Sequence, residues 1–156
     1  MSWLLSDRCT LAQIGQITPA VMTEAEAFAA VALGAVACDG VLGRDEAHAL
    51  RRHLEHRTPY KNNSESEMAA LFDGLLAVLR EQGLEQLVDQ ALPQLNLEQQ
   101  ETALALATQL VHADRSVDPA ETAFLETLTR KVDLPDSRAN GIVEAIMALN
   151  RDSLLS

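Results

Sequence analysis

The sequence predicts an all-α fold: one compact bundle of about seven to eight helices, assembled from two repeated helix-loop-helix halves. Three observations carry that expectation. The 156 residues are 47% hydrophobic but only 3% aromatic, with Ala and Leu dominant. That composition favours close-packed helices over a sandwich of large rings and β-branched residues. Cap signatures recur along the chain, pairing a Ser, Thr, Asn, Asp or Gly with Glu or Gln three residues later. Finally, one segment occurs twice at an offset of 75 positions. There Glu26/Glu101, Ala30/Ala105, Ala32/Ala107, Val36/Val111, Asp39/Asp114, Glu46/Glu121 and Leu50/Leu125 are identical pairs. A chain of this length buries about 70% of its unfolded surface as one unit.

The elements follow from local chemistry. The pairs Thr23/Glu26, Gly43/Glu46, Ser64/Glu67, Asn96/Gln99 and Asp118/Glu121, with Asp136 as a further cap, start helices. The predicted spans are 24–38, 44–57, 65–82, 97–113, 119–132 and 137–150. Pro119 follows Asp118 at a favoured first helical position. A shorter helix fits 84–92, opened after Gly83 and stopped by Pro93, and residues 2–16 form an eighth. Met68, Leu71, Phe72, Leu75, Leu76 and Leu79 keep the helical rhythm, as do Ala139, Ile142, Val143, Ile146 and Met147. Helices 24–38 and 97–113 are apolar nearly all round, which predicts the two most buried positions in the bundle. Residues 58–64 (Thr-Pro-Tyr-Lys-Asn-Asn-Ser) read as a loop. The expected organisation is a single domain over 1–156, with repeat halves at about 24–57 and 97–132. Residues 1–22 are an N-terminal extension whose Trp3, Leu4, Leu5, Leu11, Ile14 and Ile17 close the core or form a homodimer contact.

Charge and cysteine usage exclude several function classes. The net charge of −11 repels a phosphate backbone, so nucleic acid is not an expected partner. Arg44, Arg51, Arg52, Arg57 and Lys61 nevertheless gather with His48, His53 and His56 on one predicted helix and its exit. This cluster reads as a solvated face or as a docking patch for an acidic protein or anionic lipid. Cys9 and Cys38 are too few for a disulfide framework or a thiolate site, and suit a reducing compartment. The N-terminus lacks the pattern of a secretory signal. The longest uncharged apolar run, 27–38, has 12 residues, where a bilayer span needs about 20. A cytoplasmic protein with no direct membrane span is the expectation. No phosphate-cradling glycine loop, nucleophile elbow or His-Glu-x-x-His motif occurs, so the chain is not expected to be an enzyme.

The candidate site is the duplicated acidic pair, Asp39 with Glu46 and Asp114 with Glu121, each bracketing a helix-loop-helix junction. Hard cations take carboxylate and carbonyl oxygens from such short bent segments, which makes Ca²⁺, Mg²⁺ or Mn²⁺ the expected cofactor. His112, two residues before Asp114, would move the preference toward Mn²⁺ or Zn²⁺, and His53 and His56 share a spacing that permits zinc. The loops are not EF-hands: a bidentate Glu would fall at Leu50 and at Leu125. The competing reading is structural. Glu46 and Glu121 at the third helical position complete capping boxes, and Asp39 and Asp114 suit turn initiation. Four acids in one cluster, or two separate pairs, both satisfy the spacing.

The Ala-rich helix running into Ala-Cys-Asp-Gly-Val-Leu-Gly-Arg-Asp-Glu at 37–46, echoed by Ala-Asp-Arg-Ser-Val-Asp-Pro-Ala-Glu at 113–121 and then Phe-Leu-Glu-Thr-Leu, resembles the TerB-like tellurite-resistance family. It is also similar to a domain of some membrane-attached DnaJ-like co-chaperones. The resemblance covers about 24–150. It implies about seven helices in two repeated halves and a divalent cation held by acids that map onto Asp39, Glu46, Asp114 and Glu121. It also implies a protein partner in a membrane-associated stress complex. Arg115 stands in the second copy where the first has Gly40, so the two turns differ. The leading expectation is a non-enzymatic cation-binding module of a metal or oxyanion stress response. The alternative is an acidic interaction scaffold without a metal site.

Overall fold

Four of the capping pairs form complete boxes. In each, the cap side chain accepts the backbone N–H of the third helical residue, whose own side chain accepts the cap's N–H: Thr23 with Glu26, Ser64 with Glu67, Asn96 with Gln99, and Asp118 with Glu121. The computed structural model describes residues 21–38, 44–113, 116–151 and 153, with the side chains of 44–48 outside that description. The Gly43/Glu46 pair therefore lies outside the described residues, as do the predicted helix 2–16 and its apolar side chains.

The described residues are all helical, with no strand. They form α1 (Glu24–Ala37), α2 (Arg44–Leu54), α3 (Glu65–Gln82), α4 (Leu84–Ala91), α5 (Leu97–His112), α6 (Pro119–Lys131) and α7 (Asp136–Leu149). Two short 3₁₀ turns cover Tyr60–Asn62 and Leu92–Gln94.

Three boundaries differ from expectation, each for a local reason. Helix α2 stops at Leu54 rather than 57, because the Arg57 N–H turns back to the Leu54 carbonyl three residues earlier and Pro59 disfavours continuation. Asp136 is the first helical residue rather than the cap. Pro135 takes the cap position, and its carbonyl accepts the N–H groups of Arg138 and Ala139. Pro93 sits inside the 3₁₀ turn that ends α4, and Gly83 links α3 to α4 with a φ of 92°, where a side chain would be strained.

Helices α1 and α5 are the buried pair, as their composition predicts. Ala27 and every residue from Ala29 to Ala35 are buried on α1, and Ala103, Leu104, Leu106, Ala107 and Val111 on α5. Helix α1 packs against α5, α4, α2, α3 and α6, and α5 also carries α7. The two run parallel and in register, since Gln99 in the first turn of α5 reaches Glu24 in the first turn of α1 at 3.4 Å, across the same 75-residue offset as the repeat. Helix α7 lies parallel to α5 on its other side, tied by Arg138 to Glu101 at 2.7 Å and by Asn150 to Gln109 at 2.7 Å. Its apolar stripe is less covered than the rhythm suggests: Ala139 is buried, but Met147 is 42% exposed.

Two buried polar groups tie the fold across sequence. Gln100 donates to the Leu92 and Leu95 carbonyls and accepts from the Asp133 N–H at 2.8 Å. Tyr60, within the expected loop, is buried with its hydroxyl donating to the Ala25 carbonyl. Burial pushes the Tyr60 phenol above its ordinary range. Because the folded state holds that proton more tightly than the unfolded chain, this contribution is complete below about pH 10 and lost as pH rises above it. Tyr60→Phe is therefore expected to lose about 1 kcal/mol near neutrality. It should also show a shallower fall in stability under alkali, checked by urea unfolding at a series of pH values. An alkaline slope identical to the parent's would refute the assignment.

Candidate functional site

Helices α1 and α5 meet at their first turns and pack against each other, so their last residues, Ala37 and His112, lie toward the same end of the bundle. Cys38, the residue before Asp39, lines a cavity of about 660 Å³ together with Ala120, Ala123 and Phe124 of α6. The first junction thus begins beside the first turns of α6, which carry Glu121 from the other half. One turn earlier on α1, Gly34 lets α4 and α6 approach closely. A Cβ there would stand 3.1 Å from both Leu84 Cδ1 and the Phe124 ring. Lys131, at the end of α6, also lines this cavity and pairs with Asp89 at 2.7 Å and Glu85 at 3.3 Å.

Two candidate ligands can be placed. Glu121 is half-buried, and its Oε1 accepts the Asp118 N–H at 3.0 Å while its own N–H donates to Asp118 Oδ1 at 2.9 Å. It completes a capping box, the role that the structural reading assigns it. A carboxylate offers about four acceptor sites, so one cap bond does not preclude a cation.

His112, also half-buried, places Nδ1 2.9 Å from the Thr108 carbonyl. A carbonyl only accepts, so Nδ1 is the donor in this contact and Nε2 is the nitrogen through which the ring would ligate a metal. Asp39, Asp114 and the Glu46 side chain lie outside the described residues. Among the described residues no group of three or more His, Cys, Asp or Glu is positioned to hold a metal. The alternative zinc pair, His53 and His56, is fully exposed on α2 and its exit.

The family model for tellurite resistance protein TerB matches residues 25–144. The chain belongs to the TerB family. No curated protein and no solved structure gives a significant match. The TerB match begins in the first turn of α1 and ends within α7, so it takes in both repeated halves and both acidic junctions. No described helix of this TerB-family chain is long and apolar enough to cross a membrane.

Two features of the TerB site region escaped sequence reasoning. Gly34, isolated within an apolar helix, is a signal for close approach that composition alone obscured. The sequence excludes Cys38 from a disulfide framework or a thiolate site but does not reveal that its sulfur donates to the Ala35 carbonyl at 3.3 Å and lines the α4–α6 cavity.

Proposed function

We propose that this TerB-family chain is a non-enzymatic helical module of the cytoplasm. It binds a divalent cation at its paired junctions and offers a cation-dependent surface to a protein partner in a metal or oxyanion stress response. The observation that supports the reading is the contact between the first turns of α1 and α5, which sets Cys38 and Ala113, the last described residues before the two junctions, toward one end of the bundle. The proximity of Cys38 to the first turns of α6 supports a cross-half site in which Glu121 serves the first junction as well as its own. Asp39, Glu46, Asp114 and Glu121 would supply hard oxygen ligands, and His112 Nε2 a softer donor that favours Mn²⁺ or Zn²⁺. Carboxylates gathered within about 4 Å repel by roughly 4 kcal/mol per pair at an effective dielectric of 20, which a cation relieves.

The capping box of Glu121 favours the second reading, an acidic scaffold whose acids serve only the helix ends. Glu121→Gln separates the two, because glutamine also completes a capping box but carries no charge. Thermal unfolding of metal-stripped protein, titrated with Ca²⁺, Mg²⁺, Mn²⁺ and Zn²⁺, is the measurement. A cation that binds only the folded state stabilises by about 2.7 kcal/mol at a hundredfold excess over its dissociation constant. One cation is expected to raise the midpoint of the parent chain. Glu121→Gln should keep the metal-free midpoint while weakening the response, and Asp39→Asn/Asp114→Asn should abolish it. If no cation moves the midpoint, the scaffold reading replaces the cation reading.

A further inference from the structure

The strongest local exception to the acidity of this chain is the end of α2 and its exit. Residues 51–61 hold four Arg or Lys and two His against one Glu, in a protein of net charge −11. Arg52, His53, His56, Arg57 and Lys61 are all exposed, while Leu50 and Leu54 face the core. The nearby acids do not neutralise the patch. Glu55 and Glu65 both lie beside the half-buried Arg51, at 3.8 and 3.9 Å, and Arg52 and Lys61 make no ion pair with the described residues.

One member is already oriented. The Arg57 guanidinium sits 5.6 Å from the centroid of the Phe28 ring, a cation–π contact that favours this position and lowers the ordering that a docked carboxylate would require. Arg57 also borders a second cavity, of about 710 Å³, whose lining includes the apolar Phe28, Pro59, Tyr60 and Leu95 and the acidic Glu24 and Glu98. A stretch of exposed basic residues therefore adjoins a recess with apolar walls and two carboxylates, and the apolar walls are the part that an uncharged side chain fits.

We propose that this stretch and recess form a docking surface for a carboxylate-rich segment of a partner protein that carries one large apolar side chain. Alternate residues of an extended segment rise about 6.8 Å, so successive carboxylates can reach different members of the set Arg52, His56 and Lys61, which lie on the end of α2 and on the exposed chain that follows it. The apolar side chain enters the recess beside Arg57. Buried anchors of this kind flanked by charge-assisted hydrogen bonds are how short segments gain affinity. A nucleic acid or an anionic bilayer fits less well, because either extends its negative charge over the acidic remainder of the molecule. A bilayer also needs exposed apolar anchors, and the exposed large hydrophobics of the described residues, Val21, Leu97, Val117, Met147 and Leu149, all lie outside 51–61. This surface is separate from the acidic junctions and does not depend on a cation there.

The test is fluorescence anisotropy of a labelled peptide alternating Glu and Ser with a single central Phe, titrated with the full chain at low salt. Arg52→Glu/Lys61→Glu should weaken binding by about tenfold or more, as two lost charge-assisted contacts would. The control Arg80→Glu/Arg151→Glu makes the same change in net charge at exposed positions elsewhere and should have less than about twofold effect. Replacing the peptide's Phe by Ser should also weaken binding. Equal losses in both protein variants would overturn the proposal in favour of net charge alone. So would an unchanged affinity without the Phe, or binding of phosphatidylglycerol vesicles through the same residues when the peptide fails to bind.

Discussion

Gln100→Leu is expected to unfold at far lower urea than the parent chain, with a loss of about 3 kcal/mol or more. Gln100 is 2% exposed and satisfies three backbone groups at once: the Leu92 and Leu95 carbonyls at 3.2 and 3.0 Å, and the Asp133 N–H at 2.8 Å. Leucine fills a similar volume but bonds none of them. The stranded partners belong to the main chain and cannot be exchanged for apolar groups, so each contributes roughly 1–3 kcal/mol of desolvation unless water reaches it. The damage should spread, because Gln100 joins the turn after α4 to the turn between α6 and α7. A loss under about 1 kcal/mol would mean that these groups find other partners and that Gln100 is not the tie between the two turns.

Leu104→Ala is expected to lose about 3–5 kcal/mol, the range for removing a fully buried leucine from a core that cannot collapse around the gap. Leu104 is 0% exposed on α5, the helix sandwiched between α1 and α7. Neighbours held from both sides have little freedom to move inward, which favours the upper part of that range. Leu97→Ala provides the contrast, since Leu97 opens the same helix but is 54% exposed, and its loss should stay within about 0.5 kcal/mol. Equilibrium denaturation of the pair decides the matter. Similar midpoints for the two variants would contradict the assignment of α5 to the core.

The sequence made the helix starts legible because capping is a local transaction. Thr23, Ser64, Asn96 and Asp118 each find their partner three residues away, with no help from the rest of the fold. Helix ends were less legible, and α2 shows why. Its stop depends on how Arg57 turns back on Leu54 and on the anchoring of Tyr60 against α1, which is 35 residues distant. Gln100 was unreadable for the same reason. Among the polar residues of the first turn and a half of α5, Gln100 looks like its neighbours Gln99 and Glu101 until the Asp133 amide, 33 residues on, comes into place beside it. At the candidate site the repeat exposed the acidic pairs, and the family match takes in both of them. The capping box of Glu121 was legible from its spacing to Asp118, but the sequence could not show that His112 turns Nδ1 to the Thr108 carbonyl. That is a property of backbone placement, and no residue type encodes it alone.

The parallel alignment of α1 and α5 also bears on how the chain reaches its fold. Neighbouring helices joined by short loops run antiparallel, so a parallel pair must be joined by a long excursion, here the intervening helices α2 to α4. Local pairs such as α1 with α2 and α3 with α4 need only short loops to close, whereas the central contact must wait for ends 75 positions apart to meet. Closure entropy grows only slowly with loop length, but it precedes the reward of packing α1 against α5. The bundle therefore has a higher contact order than an up-and-down bundle of equal size and belongs among the slower-folding all-helical chains.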